Sequence, residues 1–237
     1  MKYLMIPLAA LAVILSGLAH AADMRQPVPY MKAVPALELY SWSGLYFTGY
    51  AQYGANFTNQ TTQALGASID LGAAPHGPGL GGSLSLLYQL PASPWVLGLR
   101  ADMSWANLQG TGALATGGNA LLVSNATNYL GSLNGIFGYT LGSDQKLLAY
   151  LTGGAGFGGA KPNLQVNGLA QGLSDTSIGY DIGGGLAYAL SPNWSMFIEG
   201  DYFKLGGKSV TIPSLGVTSN AAYDIFMQKA GFSFRLP

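Results

Sequence analysis

From Gly44 to Phe57 apolar and polar positions alternate with a period of two. Leu45, Phe47, Gly49, Ala51, Tyr53, Ala55 and Phe57 share one face, and Tyr46, Thr48, Tyr50, Gln52 and Asn56 the other. Successive side chains of a β-strand point to opposite sides, so this is a strand with one apolar and one polar face. The pattern returns over residues 79–90, 95–107, 127–141, 146–157, 175–190, 194–205 and 222–236, which predicts eight strands in all. An even strand number is what single-chain barrels of bacterial outer membranes have.

The predicted connections alternate in length. Tight ones fall at Pro91–Pro94, Gly142–Gln145 and Ser191–Asn193, and long, polar or glycine-rich ones at 58–78, 108–126, 158–174 and 206–221. Short periplasmic turns and longer extracellular loops give a transmembrane barrel this asymmetry. The aromatic residues add a second regularity. On the apolar face, Tyr88, Trp95, Tyr139, Tyr188 and Trp194 flank the tight turns, while Tyr53, Trp105, Tyr129, Phe157, Tyr180 and Tyr202 sit toward the long loops. Amphipathic rings prefer the headgroup level of a membrane, so two such belts with Leu, Ile, Ala and Gly between them describe a lipid-facing band.

Parity by itself also fits a secreted soluble barrel of lipocalin type, with the apolar face turned inward. Charge decides between them. Charged residues are 8% of the chain, against about a quarter in ordinary globular proteins, and the polar face is mostly Ser, Thr, Asn, Gln, Gly and Tyr. A soluble exterior needs more charge than that. The predicted fold is therefore all-β, an eight-stranded antiparallel up-and-down transmembrane barrel.

The amino terminus supplies the compartment. Lys2, the apolar run Leu4–Leu18 and the small-residue site Ala19-His20-Ala21 make a secretory signal peptide over 1–21, shorter than the roughly 20 apolar residues of a membrane span. Residues 22–41, with Pro27, Pro29 and Pro35, read as an extended periplasmic leader, and 42–237 as the barrel domain. The expected location is the cell outer membrane. A formal net charge of zero, without a lysine or arginine run, argues against a nucleic-acid partner. The absence of cysteine excludes disulfides and thiolate metal sites.

Two stretches carry a family resemblance: Ala22-Asp23 with the leader and Tyr40-Ser41-Trp42-Ser43-Gly44-Leu45-Tyr46-Phe47, and Asn193-Trp194-Ser195 followed by Glu199-Gly200-Asp201-Tyr202. They resemble the opening and the penultimate strand of the small outer-membrane proteins of the Omp25/Omp31 type, also called outer-membrane immunogenic or porin-family proteins. The resemblance implies a barrel like the OmpA transmembrane domain, with a structural and surface role and no active site. It also implies outer-membrane lipid, lipopolysaccharide and the barrel assembly machinery as partners, and a monomer is expected. The ending Phe232-Ser233-Phe234-Arg235-Leu236-Pro237 departs from the family's usual aromatic last residue.

Candidate chemistry is sparse, and no catalytic, cofactor or metal site is predicted. His76, the one histidine beyond the signal peptide, is expected in the first long loop, with no second imidazole for a metal or dyad site, so that no strand or rim histidine is available to act with a serine. Ser143-Asp144-Gln145-Lys146 matches S-x-x-K but sits in a turn rather than at a helix start. Gly154–Gly159 matches G-x-G-x-x-G without a following helix to bind pyrophosphate. The sequons at Asn56, Asn59 and Asn125 are expected to cap turns and loop ends.

The informative polar residues have lumen parity: Arg100, Asp102, Asp181, Glu199, Asp201 and Lys229. Arg100, Glu199 and Lys229 fall at similar height above the tight turns, and a network centred on them is expected to plug the lumen. An eight-stranded interior is just wide enough for side chains to fill. The predicted function is a structural and surface barrel whose loops interact with the surroundings; a small or gated pore is the alternative, and an enzyme is not expected.

Overall fold

The computed structural model describes residues 39–57, 60–64, 67–71, 74–116 and 119–237. The expected signal peptide and most of the leader lie outside the described residues. The strands are β1 (Gly44–Asn56), β2 (Gln60–Ala64), β3 (Ala67–Leu71), β4 (His76–Gln89), β5 (Trp95–Thr116), β6 (Asn119–Leu141), β7 (Leu147–Val166), β8 (Leu169–Gly172), β9 (Asp175–Ala189), β10 (Trp194–Ile212) and β11 (Val217–Arg235). Eight of them follow one another antiparallel in the order β1-β4-β5-β6-β7-β9-β10-β11, and β11 pairs back onto β1. That closing ladder runs from Tyr46↔Arg235 to Asn56↔Ile225. The sheet is a ring, which leaves these strands without the free edges that invite aggregation. Two short additions lie outside it: β2 and β3 form a hairpin whose first strand pairs with β11, and β8 folds back on β7.

The wall sorts its side chains by parity. Along β1, Thr48, Gln52 and Asn56 are buried while Phe47 and Tyr53 are exposed. Leu84, Leu99, Leu133, Leu151, Ile182 and Ile198 continue the exposed apolar band around the ring. An exterior this apolar is stable only against another apolar phase.

The long loops predicted at 108–126, 158–174 and 206–221 are largely strand. β5 and β6 stay paired up to Thr116↔Asn119, and β10 and β11 up to Ile212↔Val217. Beyond the aromatic rim the polarity of the wall reverses. Val123, Leu164, Val210, Ile212 and Val217 turn inward as a separate apolar core, while Ser209, Thr211 and Asn220 are exposed. Register breaks between Thr127/Leu130 and Leu205/Lys208 shift the phase by one residue. An extra residue in one strand flips every later side chain, so a fixed parity loses the strand there. The tops of these hairpins are built like a water-soluble sheet. Ile212→Val should accordingly lower the unfolding free energy by about 0.5–1.5 kcal/mol, read from a denaturant titration of the refolded barrel.

Lys208 and Asp175 tie two of these hairpins together, with Nζ donating to the carboxylate at 2.6 Å. That bond, together with the Thr176 amide, holds the exposed Asp175 carboxyl below its ordinary range. A depressed folded pKa means the contribution is present above the ordinary value near 4 and fades as the pH falls through the folded value. Asp175→Asn should therefore speed amide exchange at the start of β9 at neutral pH, with the difference from the parent vanishing in acid.

Candidate functional site

The lumen is filled in layers. Its floor, at the tight-turn end, is Trp42, which is 1% exposed. The indole N–H donates to the Gln145 carbonyl at 2.9 Å, the Trp42 amide to Gln89 Oε1 at 3.0 Å, and the Tyr46 hydroxyl to the Trp42 carbonyl at 3.0 Å. Gln89 in turn donates to Gln145 Oε1 at 2.7 Å. The chain enters β1 through Gly44 at φ 148°, where a Cβ would meet the Arg235 side chain at 2.9 Å. Glycine is required where the backbone takes such a dihedral under close approach. The Trp-Ser-Gly-Leu-Tyr run thus has a physical reading: a ring that stops the barrel mouth, a glycine that turns the chain, and a tyrosine that holds the ring's own carbonyl.

Next to Trp42, Leu87, Ile136, Leu148 and Phe197 form a first apolar layer around a small chamber whose polar lining is Thr48, Ser83, Ser85, Ser195 and Ser233, and above it lies a charged layer. Arg100 makes a two-pronged contact with Glu199, Nη1 to Oε2 at 2.6 Å and Nη2 to Oε1 at 2.7 Å. Lys229 Nζ stands 2.6 Å from Asp201 Oδ2, 3.5 Å from Asp102 Oδ1 and 3.8 Å from Glu199 Oε1. Sheet geometry explains the meeting, since Glu199 and Lys229 are direct cross-strand partners and Arg100 reaches across the barrel from β5. Asp181 takes its hydrogen bond from Asn134 Nδ2 at 2.6 Å.

The composition of the strands misses three members of this layer. Tyr50 donates to Asp102 at 2.6 Å and carries Lys229 over its ring at 5.1 Å. Asn134 is 1% exposed. Tyr150 lies over Gly185, whose Cβ would stand 2.8 Å from the phenol oxygen. Neutral residues of this kind give no charge signal; the inward glycines beside them are the available hint.

A second apolar layer, including Leu108, Leu130, Phe203, Leu205, Ile225 and Met227, caps the charges toward the hairpin end. Charged groups between two dry layers interact more strongly than they would in water, and each unpaired one is correspondingly costly.

On the outside, Tyr53, Tyr88, Trp95, Trp105, Tyr139, Tyr188 and Trp194 are exposed. Tyr129 and Tyr202 are half-covered and donate or share hydrogen bonds with Thr176 at 2.7 Å and Asp224 at 3.0 Å. His76 requires a correction: it is the first residue of β4, at the hairpin rim and facing out, not in a loop. The ladder extends to it because Ala55 and Gln109 pair with it on either side. Its ring Nδ1 lies 3.1 Å from the Ala74 carbonyl and its face 6.5 Å from that of Tyr53, so the rim histidine is engaged with backbone and ring rather than with a serine. The sequon asparagines Asn56 and Asn125 are likewise inward strand residues, 2% and 4% exposed, rather than loop caps. Asn59 lies outside the described residues. Gly154–Gly159 is mid-strand in β7.

The family model described as "Outer membrane protein beta-barrel domain" matches residues 9–228. The 31 kDa outer-membrane immunogenic proteins of Brucella melitensis and Brucella suis are each 26% identical over 218 residues, which is 86% of this chain and 88% of theirs. The crystal structure of the outer membrane protein OprG from Pseudomonas aeruginosa is similar with a TM-score of 0.54 and 13% identity, covering 84% of this chain and 98% of that one. At that identity the likeness concerns the fold.

Proposed function

The chain belongs to the outer-membrane protein β-barrel domain family, and from that premise we propose that it is a structural and surface component of the outer membrane with a sealed lumen and no turnover. The tight turns face the periplasm and the long hairpins face outward, in contact with lipid and lipopolysaccharide. Export uses a signal peptide cleaved after Ala21, and the barrel assembly machinery inserts a monomer. The outward hairpins are the part the surroundings meet, in keeping with the word "immunogenic" in the relatives' names.

The observation that carries this reading is the filling of the lumen. Trp42, the Arg100/Glu199/Lys229 layer and the apolar layer above it stand in series across one narrow interior. Ions crossing would have to displace an indole and break a buried two-pronged ion pair. Single-channel recording of the purified full chain in planar bilayers tests it. A quiet membrane is the expected result, and regular conductance steps would favour the pore instead.

A further inference from the structure

The buried charges do not balance. Among the described residues, the lumen holds four carboxyl groups, Asp102, Asp181, Glu199 and Asp201, against Arg100 and Lys229, which leaves two negative charges unmatched when all are ionised. Charges so far from water need a compensating partner. On one side of the layer, four oxygens have no hydrogen-bond partner among the described residues: Asp181 Oδ1, Asp201 Oδ1, Asn134 Oδ1 and Thr152 Oγ1. Their residues are 0–4% exposed.

The register brings these oxygens together. Thr152, Gly183 and Asp201 lie side by side on β7, β9 and β10, and in the adjoining rung Asn134, Gly154 and Asp181 lie side by side on β6, β7 and β9. In each rung a glycine separates two polar side chains, and the room it leaves is occupied by oxygen. A Cβ on Gly183 would fall 1.9 Å from Asp201 Oδ1, and one on Gly154 would fall 2.7 Å from Asn134 Oδ1. Two successive rungs therefore set two carboxyl groups, an amide oxygen and a hydroxyl around two neighbouring inward glycines.

We propose that this patch binds one hard divalent cation, calcium by its chemistry, taken up as the barrel folds. An all-oxygen, mixed set of donors suits the irregular coordination calcium accepts and magnesium does not. One divalent ion also matches the surplus. The donors differ from a cluster of three or more acidic or imidazole side chains, which the described residues do not offer. The proposal rests on the sealed-lumen reading, since the ion would otherwise exchange with the medium.

The full chain is to be refolded into detergent micelles with EDTA, or with calcium, magnesium or sodium chloride at matched ionic strength. Thermal unfolding and the calcium retained after gel filtration are then measured. The site predicts about one calcium per chain and a midpoint raised by about 5–10 °C at a hundredfold excess over Kd. Asp181→Asn and Thr152→Val should each lose that response while still refolding in EDTA. A response to sodium equal to that to calcium, or one that survives in both variants, overturns the proposal. So does a parent indifferent to calcium but stabilised by acid, which would mean that protons neutralise the carboxylates. Conductance with a calcium response would sink the sealed lumen and leave an ion site that exchanges with the medium; a silent membrane without a response would sink the site and leave the sealed lumen standing.

Discussion

Arg100→Met should destabilise the folded barrel by about 3–5 kcal/mol, and the double variant Arg100→Met/Glu199→Leu should recover most of that loss. The single change leaves Glu199 at 5% exposure without the guanidinium that binds both its oxygens. Lys229 cannot take over fully, because it stands 3.8 Å from Glu199 and is already held at 2.6 Å by Asp201. Removing both partners removes the stranded charge, and the methionine and leucine refill much of the volume. Guanidinium titrations in lipid vesicles measure all three proteins. A single variant as stable as its parent would mean that water reaches this layer, and with it the closure of the lumen would go.

The second large effect concerns the outer wall. Ala101 sits on β5 midway between Trp95 and Trp105, exposed, with Leu84 and Leu133 opposite it. Its neighbours Arg100 and Asp102 point into the lumen. Ala101→Arg should cost about 2–4 kcal/mol, the range for a cation facing lipid at mid-depth, where neither water nor a counter-charge meets it. Ala101→Leu at the same site should be neutral or slightly stabilising, since lipid accepts another apolar side chain. The pair separates lipid from water around the wall without disturbing the core. An arginine tolerated better than a leucine would mean that this band faces water.

Much of the lower barrel was legible in the sequence because two requirements coincide there. Lipid demands an apolar exterior and the narrow lumen accepts polar side chains, so every strand from the tight turns to the outer aromatics alternates in one phase, as β1 does from Leu45 to Asn56. Above the aromatic rim the solvent changes. The inward face becomes apolar at Val123, Leu164 and Val210, and the bulges near Tyr129 and Gly206 shift the phase, so the alternation reads as irregular chain. His76 is misread for another reason: Pro75, Gly77 and Pro78 beside it look like a turn, although β4 keeps its pairing and its phase there. In the lumen, the ionised residues stand out by parity, whereas Asn134, Thr152 and Trp42 do not. Their importance comes from what they meet across four strands or across the barrel mouth, which no local pattern records.

A closed barrel in the outer membrane underlies both the sealed lumen and the lipid-facing wall. Membrane fractionation of the producing cells, followed by gel electrophoresis with and without boiling, tests this most directly. The protein should sediment with the outer membrane and migrate faster unboiled, because a ring of eight paired strands stays compact in detergent until heat opens it. Recovery as soluble periplasmic protein, with one mobility in both samples, would contradict it.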